Sequence, residues 1–328
     1  MILPCPNGMI RPKSLPDGTF IFVEHGHWFG YITTEDNTKV LYTGVPYDST
    51  KTITDVKNQY VNRLVLDDNY FLDAEVCKTD EKPYEFHEEY VTADLIQSIK
   101  DWFEENGKGC NAVIGISGGK DSTIVAALCV KALGKDRVIG VLLPNGEQSD
   151  IGDSYEICDI LGIRSYKMNI EKGVNATYEE MLRCGLEITQ QVRENTPPME
   201  RTKCIRSVCR SQNGRMMNTC NWSEDYIGYF TIGGDGEGDF APLADLTATE
   251  VIKIGHYLGL PKNLVDKTPS DGLCGKTDED NFGFTYAVLD KYIRTGICED
   301  DEVKARIIAR HKANAFKLKP MTKFTYRG

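Results

Sequence analysis

The chain has 328 residues, 41% of them hydrophobic and 27% charged. That make-up suits a soluble globular protein of one large domain or two ordinary ones, able to bury a sizeable core without metals or disulfides. Lys and Arg number 38 against 49 Asp and Glu, for a formal net charge of −11, which argues against nucleic acid as a partner. Small anionic ligands stay compatible with such a surface, because a few cations and backbone N–H groups focused in one cleft suffice to hold a phosphate. The cysteines are odd in number and form no C-x-x-C pair, and Cys129, Cys158, Cys184, Cys204 and Cys209 fall in apolar-periodic stretches. They read as reduced, buried thiols. Met1 to Pro6 lacks a charged region and a long apolar run, and no stretch approaches the ~18 apolar residues of a membrane span. The expected location is cytoplasmic, with no membrane partner.

In chain order, Thr19–Val23, Trp28–Ile32 and Lys39–Thr43 are short aromatic and β-branched runs separated by polar breaks, the signature of a meander of small strands. Residues 67–89 are acidic and aperiodic and read as a connector. Residues 1–85 are therefore expected to form a small β-rich module and 86–328 a separate unit. From Thr92 the texture changes, with Leu95, Ile96, Ile99, Trp102 and Phe103 at helical spacing, Thr92 as N-cap and Gly107 as the stop. Then a strand at 112–116, a helix at 123–133 closed by Gly134, a strand at 138–143, a helix at 155–161 ending at Gly162, and a strand at 166–170 follow in turn. Such alternation predicts an α/β fold, a Rossmann-like parallel sheet with helices on both faces. Ligands of such sheets bind at the carboxyl ends of the strands.

At the end of the first of these strands stands Gly115-Ile116-Ser117-Gly118-Gly119-Lys120-Asp121-Ser122. Glycines let backbone N–H groups approach a ligand, the following helix points its positive end into the same space, and Ser117 and Ser122 add hydroxyl donors. The pattern predicts a phosphate cradle. Asp121 would repel a bare phosphate, so a Mg²⁺ ion bridging the two is expected. The spacing is not that of a Walker A loop. A lone Gly-Gly turn between strand and helix is ordinarily only a turn; here the strand, the helix and the Ser-Gly-Gly-x-Asp-Ser order agree.

This loop resembles the pyrophosphate-binding loop of the ATP pyrophosphatase superfamily, whose members split ATP between its α and β phosphates to adenylate an acceptor. Further along, Leu143 to Asp150, Asn218 to Asp225, Gly236 to Leu243 and Lys267 to Leu273 occur in an order similar to that of ammonia-dependent NAD synthetases. The resemblance covers the chain from about Tyr90 onward. It implies that Gly115, Ile116, Ser117, Gly118, Gly119, Lys120, Asp121 and Ser122 hold ATP together with Thr219 and Ser270. It also implies that Asp121, Ser117 and Ser122 are catalytic and that Asp121 and Glu224 bind Mg²⁺. Arg201, Asp239, His311 and Lys312 would contact the dinucleotide. Taken singly, Glu224 and Asp239 read as solvated acids and His311 as a surface histidine; His25 and His27 flank a turn, and Cys274 is a bystander thiol.

Cations that many members carry fall here on Met199, Ile232, Leu142 and Ala248. Either Lys120 and Lys203 or other residues compensate, or the substrate site differs from that of those members. The implied reaction joins nicotinic acid adenine dinucleotide (deamido-NAD) to AMP as an acyl-adenylate, which ammonia converts to NAD. Glutamine-using relatives carry a large amidase domain that 85 residues cannot house, so the expected donor is ammonia, free or from a separate supplying protein. The resemblance also implies a homodimer. Alternatives from the same loop are another adenylating enzyme, such as a tRNA thiolase, or a catalytically silent nucleotide binder. Asp121→Ala is expected to abolish turnover with the fold intact, since the residue fills no core position.

Overall fold

The computed structural model describes residues 13–14, 20–24, 27–33, 40–46, 86–267, 278–319, 321 and 323–326. Ser270 and Cys274 of the expected site region lie outside the described residues, as do His25 and most of residues 1–85. The chain divides into two compact units, 1–85 with 291–298 and 86–290 with 299–328.

In the first unit, β1 (Lys13–Ser14), β2 (Phe20–Glu24), β3 (His27–Thr33) and β4 (Val40–Pro46) form an antiparallel meander in that order. Its register sets Phe22 opposite Phe29 and Phe29 opposite Gly44. β1 carries no periodicity of its own and was not expected from the sequence.

The second unit opens with α1 (Glu88–Asn106) and β5 (Asn111–Gly115), then α2 (Lys120–Leu133), β6 (Val138–Leu142), α3 (Ile151–Leu161) and β7 (Arg164–Lys167). It continues through α4 (Glu171–Arg183), α5 (Gln190–Ser211), β8 (Gly214–Met216), α6 (Trp222–Ile227), α7 (Ala248–Tyr257) and α8 (Lys262–Val265). Last come α9 (Asp278–Phe282), α10 (Tyr286–Thr295), which the division assigns to the first unit from Lys291 on, and α11 (Asp301–Asn314). The sheet is wholly parallel in the order β7-β6-β5-β8.

β5 and β6 are central and buried on both faces, as near-continuous apolar runs dictate. Alternate residues serve opposite cores. Ala112, Ile114, Val138 and Leu142 pack with Ile99, Phe103, Ile124, Leu128 and Ile254 from α1, α2 and α7. Val113, Ile139 and Val141 pack with Val174, Ile205 and Val208 from α4 and α5. β7 is an edge strand whose four residues are all exposed, and Arg164 and Lys167 give it the charge that guards an edge.

Several boundaries move. α1 starts at Glu88 rather than at Thr92, which is buried and makes no cap. α2 starts at Lys120, so Asp121 and Ser122 lie in its first turn. β7 covers 164–167 because Ile170 turns inward ahead of α4. α5 runs through Pro197 and Pro198, residues that break a helical reading of the sequence. Cys129, Cys158 and Cys209 are buried free thiols as expected, but Cys204 is only half-buried and Cys184 is exposed at the end of α4. Burial pushes Cys129 up to about 12 and Cys158 and Cys209 up to about 11.

Candidate active site at the strand ends

From β5 the chain moves outward through β6 to β7, then returns to place β8 on the other side of β5. The carboxyl ends of β5 and β8 therefore flank the switch point, where open α/β sheets take their ligands. Two loops meet there, 116–119 after β5 and 217–221 after β8.

The first loop shapes itself. Ser122 Oγ accepts the Ser117 N–H at 3.2 Å and donates to the Gly119 carbonyl at 3.2 Å, while Ser117 Oγ accepts the Gly119 N–H at 3.2 Å and lies 3.1 Å from Ser122 Oγ. Both hydroxyls thus hold the loop open around its own backbone. Gly118 has φ +77°, and a Cβ there would stand 2.7 Å from Asp153 Cβ. No other residue meets both demands.

Lys120 is only 3% exposed although it begins a helix, the end where the backbone dipole repels a cation. The Asp121 carboxylate 2.8 Å away and the Tyr286 ring, 5.6 Å to its centroid, offset that. The other oxygen of Asp121 accepts from Asn221 Nδ2 at 3.1 Å.

Asn221 also caps α6, its Oδ1 accepting the N–H groups of Ser223 (3.0 Å) and Glu224 (3.3 Å), while Glu224 Oε2 accepts the Asn221 N–H at 3.3 Å. One asparagine therefore bonds both carboxylates, Asp121 through its side chain and Glu224 through its backbone. Its Asn-x-x-Glu spacing is a capping-box signature, the sequence signal that would have found it. Among the described residues no group of three or more His, Cys, Asp or Glu side chains is placed to hold a metal ion. Two carboxylates are still a donor set that fits Mg²⁺, which binds through one or two carboxylates and keeps its remaining positions for substrate and water.

Negative charge converges behind this pair. Burial, and then Glu224, Asp235, Asp225 and Asp121, push the Cys220 thiol well up. Burial and then Asp235 push Asp225 up to about 6. Burial raises Asp235 as well, despite the Thr231 N–H at 2.7 Å and the nearby charges of Arg201 and Lys317. Arg201, lowered by burial and supported by Asp235, donates from Nε to the Leu143 carbonyl at 3.2 Å, at the end of β6. It stands at the strand ends with the rest of the site.

The remaining expected residues divide. Thr219 lies in the 217–221 loop and is half-buried. Asp239 accepts from Arg206 with one oxygen and from the Met216 N–H at 2.8 Å with the other, so it secures the end of β8. His311 stacks on Tyr226, centroids 4.1 Å apart, and its Nδ1 donates to the Tyr226 carbonyl at 2.8 Å. Lys312 is exposed. Of the positions where cations are lost, Leu142 and Ala248 are in the core at 0% and 1% exposure, so a charge at either would face apolar neighbours; Met199 and Ile232 are exposed. Lys203 is tied to Glu200 at 2.6 Å. Lys267, just before the undescribed segment that holds Ser270, bonds Asp150 at 2.7 Å and Asp153 at 2.6 Å. Beyond β6 and β7 lies a cleft of about 1010 Å³, lined by Pro144, Gly146, Gln148, Lys167, Asn169 and Glu171 among others. Asn169 staples its wall by exchanging two 3.1 Å bonds with the Gly146 backbone.

Residues 91–326 match the model of the NAD synthase family. The chain belongs to that family. It is 39% identical over 206 residues to an NH(3)-dependent NAD(+) synthetase of Pyrococcus furiosus, covering 62% of this chain and 77% of that protein. It is 37% identical over 222 residues to one of Thermococcus sibiricus, covering 67% and 85%. Among solved structures it is similar to the NMN synthetase of Francisella tularensis, with TM-score 0.69 and 30% identity over 74% of this chain and 100% of that one. These relatives favour the synthetase reading over a tRNA thiolase or a silent nucleotide binder. Among the described residues no helix is long and apolar enough to cross a membrane.

Proposed function

We propose that this member of the NAD synthase family amidates deamido-NAD with ammonia at the expense of ATP, yielding NAD, AMP and pyrophosphate through an acyl-adenylate. The observation that carries this reading is the meeting of the Ser117–Ser122 loop with Asp121, Asn221 and Glu224 at the switch point of the parallel sheet. A carboxylate is a poor electrophile because oxide would have to leave; as its AMP ester it reacts with ammonia readily. The positive end of α2, which the loop leads into, meets the charge that grows on departing pyrophosphate. Lys120 adds a fixed positive charge beside Asp121. Asp121 and Glu224 are the residues that would hold Mg²⁺, which when bound neutralises phosphate charge. No covalent enzyme intermediate is needed.

Gly115 to Ser122, Thr219 and Ser270 belong to the ATP side of this reading, and Arg201, Asp239, His311 and Lys312 to the dinucleotide side. A cytoplasmic homodimer, fed by free ammonia or by a separate supplying protein, completes it. So does a division into a β-rich module, residues 1–85, and a synthetase unit, 86–328. Incubation of the purified chain with ATP, Mg²⁺, deamido-NAD and ammonium should yield NAD and pyrophosphate in equal amounts; no NAD at saturating ammonium overturns the proposal.

A second reading replaces the dinucleotide with nicotinic acid mononucleotide. The likeness to an NMN synthetase supports it, as do the exposed apolar side chains of Met199 and Ile232. Running both acids side by side and comparing kcat/KM separates the two.

A further inference from the structure

We propose that His311, Asn314 and Lys317 are positioning residues that set where the Glu224 carboxylate stands over the ATP loop. The inference rests on the reading of Glu224 as a Mg²⁺ ligand. α6 has six residues, too few to be stable alone, because helix nucleation costs more than one turn of hydrogen bonds returns. Asn221 closes its first turn and ties it to Asp121. Its last turn has carbonyls with no partner inside the helix.

Each of those carbonyls has a donor. Tyr229 N–H reaches the Glu224 carbonyl at 2.8 Å and Gly228 N–H the Asp225 carbonyl at 3.1 Å. The rest come from the C-terminal helix and the turn that closes it, Ala315–Leu318. His311 Nδ1 donates to Tyr226 O at 2.8 Å and Asn314 Nδ2 to Ile227 O at 3.0 Å. Lys317 Nζ donates to Gly228 O at 2.7 Å and Phe230 O at 2.8 Å. The three donors are spaced by three residues, which puts them on one side of the helical run. Gly228 has φ +66°, and any Cβ there would overlap the Asn314 side chain. The approach of the two elements is therefore built into both sequences.

The consequence is a short helix held at both ends. Asp121 holds the front through Asn221, and α11 holds the back, so Glu224 has one orientation relative to the loop. Mg²⁺ tolerates little error, since it demands near-octahedral geometry at about 2.0–2.1 Å. Loosening the back of α6 should weaken ion binding before it alters the chemical step.

The test uses the full chain. Mn²⁺, a divalent ion that accepts the same oxygen ligands, is titrated into protein holding α,β-methylene-ATP and followed by electron paramagnetic resonance; the Mg²⁺ dependence of NAD formation is measured beside it. Asn314→Ala and Lys317→Met should each raise the half-saturating concentration of both ions about tenfold, or about 1.4 kcal/mol, while kcat at saturating Mg²⁺ stays within about twofold. Lys317→Arg should restore the wild-type value. The two positions are read independently, so loss of fold in one variant leaves the other to decide. Unchanged ion affinity in a folded variant, or a fall in kcat without a change in ion affinity, overturns the proposal. Should the wild-type chain make no NAD, the functional reading fails, and the Mn²⁺ titration still decides the role of the clamp.

Discussion

The two loops that meet at the switch point are built in opposite ways. The loop after β5 is closed mainly by residues within six positions of one another: Ser117, Gly119 and Ser122 bond one another across its turn. The arm after β8 depends on partners far away in the chain. Asn221 is held by Asp121, one hundred residues earlier, and the far end of α6 by Asn314 and Lys317, nearly ninety residues later. A phosphate cradle made of backbone can be local, whereas a carboxylate that must share a cation with another loop has to be aimed from outside.

The largest expected effect tests the residue that joins the two. Asp121→Asn keeps one oxygen for Asn221 but loses the charge and the second acceptor, and should lower kcat by about 10³-fold or more with the chain still cooperatively folded. Asp121→Ala should do this and also destabilise, by about 1–3 kcal/mol in denaturant titration, because it removes the carboxylate that both Lys120 and Asn221 bond. A cost below about 1 kcal/mol would show that the two bonds to Asp121 contribute little to stability.

Glu224→Gln comes next. The amide oxygen can still accept the Asn221 N–H, so the cap survives while a charge is lost; kcat should fall about 10²-fold with unfolding unchanged. A variant with wild-type turnover would remove Glu224 from the ion site and leave the arm a structural element. Gly118→Ala tests the self-closed loop. With φ +77° and Asp153 in the way, it should cost about 1–3 kcal/mol in stability and weaken ATP binding measured by calorimetry.

The smallest effect concerns the acids behind the arm. Asp225 is pushed from 3.8 up to about 6, so the folded state holds its proton more tightly than the unfolded chain does. That contribution is complete below pH 3.8 and is lost as the pH rises through 6. Asp225→Asn should therefore leave stability unchanged near pH 4 and raise it by about 1–2 kcal/mol at pH 8, allowing for partial exposure. Denaturation in metal-free buffer at the two pH values measures it, and an unchanged difference between them would place Asp225 in contact with water.

The same contrast decides what was legible in the sequence. β5, β6 and the loop between β5 and α2 could be read because their apolar runs, glycines and serines act on near neighbours. β8 has three residues and takes its identity from pairing with β5; α5 hides behind Pro197 and Pro198. Leu142 and Ala248 look like lost cations along the sequence and are core residues in the fold. His311 was readable as a residue of interest, but its partner Tyr226 was not, since nothing local links two residues 85 apart.

One labelling experiment tests the acyl-adenylate most directly. Deamido-NAD carrying ¹⁸O in its nicotinate carboxylate is turned over with ATP, Mg²⁺ and ammonium, and the products are weighed by mass spectrometry. The synthetase reading predicts one ¹⁸O in AMP for each NAD formed and none in pyrophosphate. Unlabelled AMP, or NAD formed with the label in a released phosphate, would contradict it.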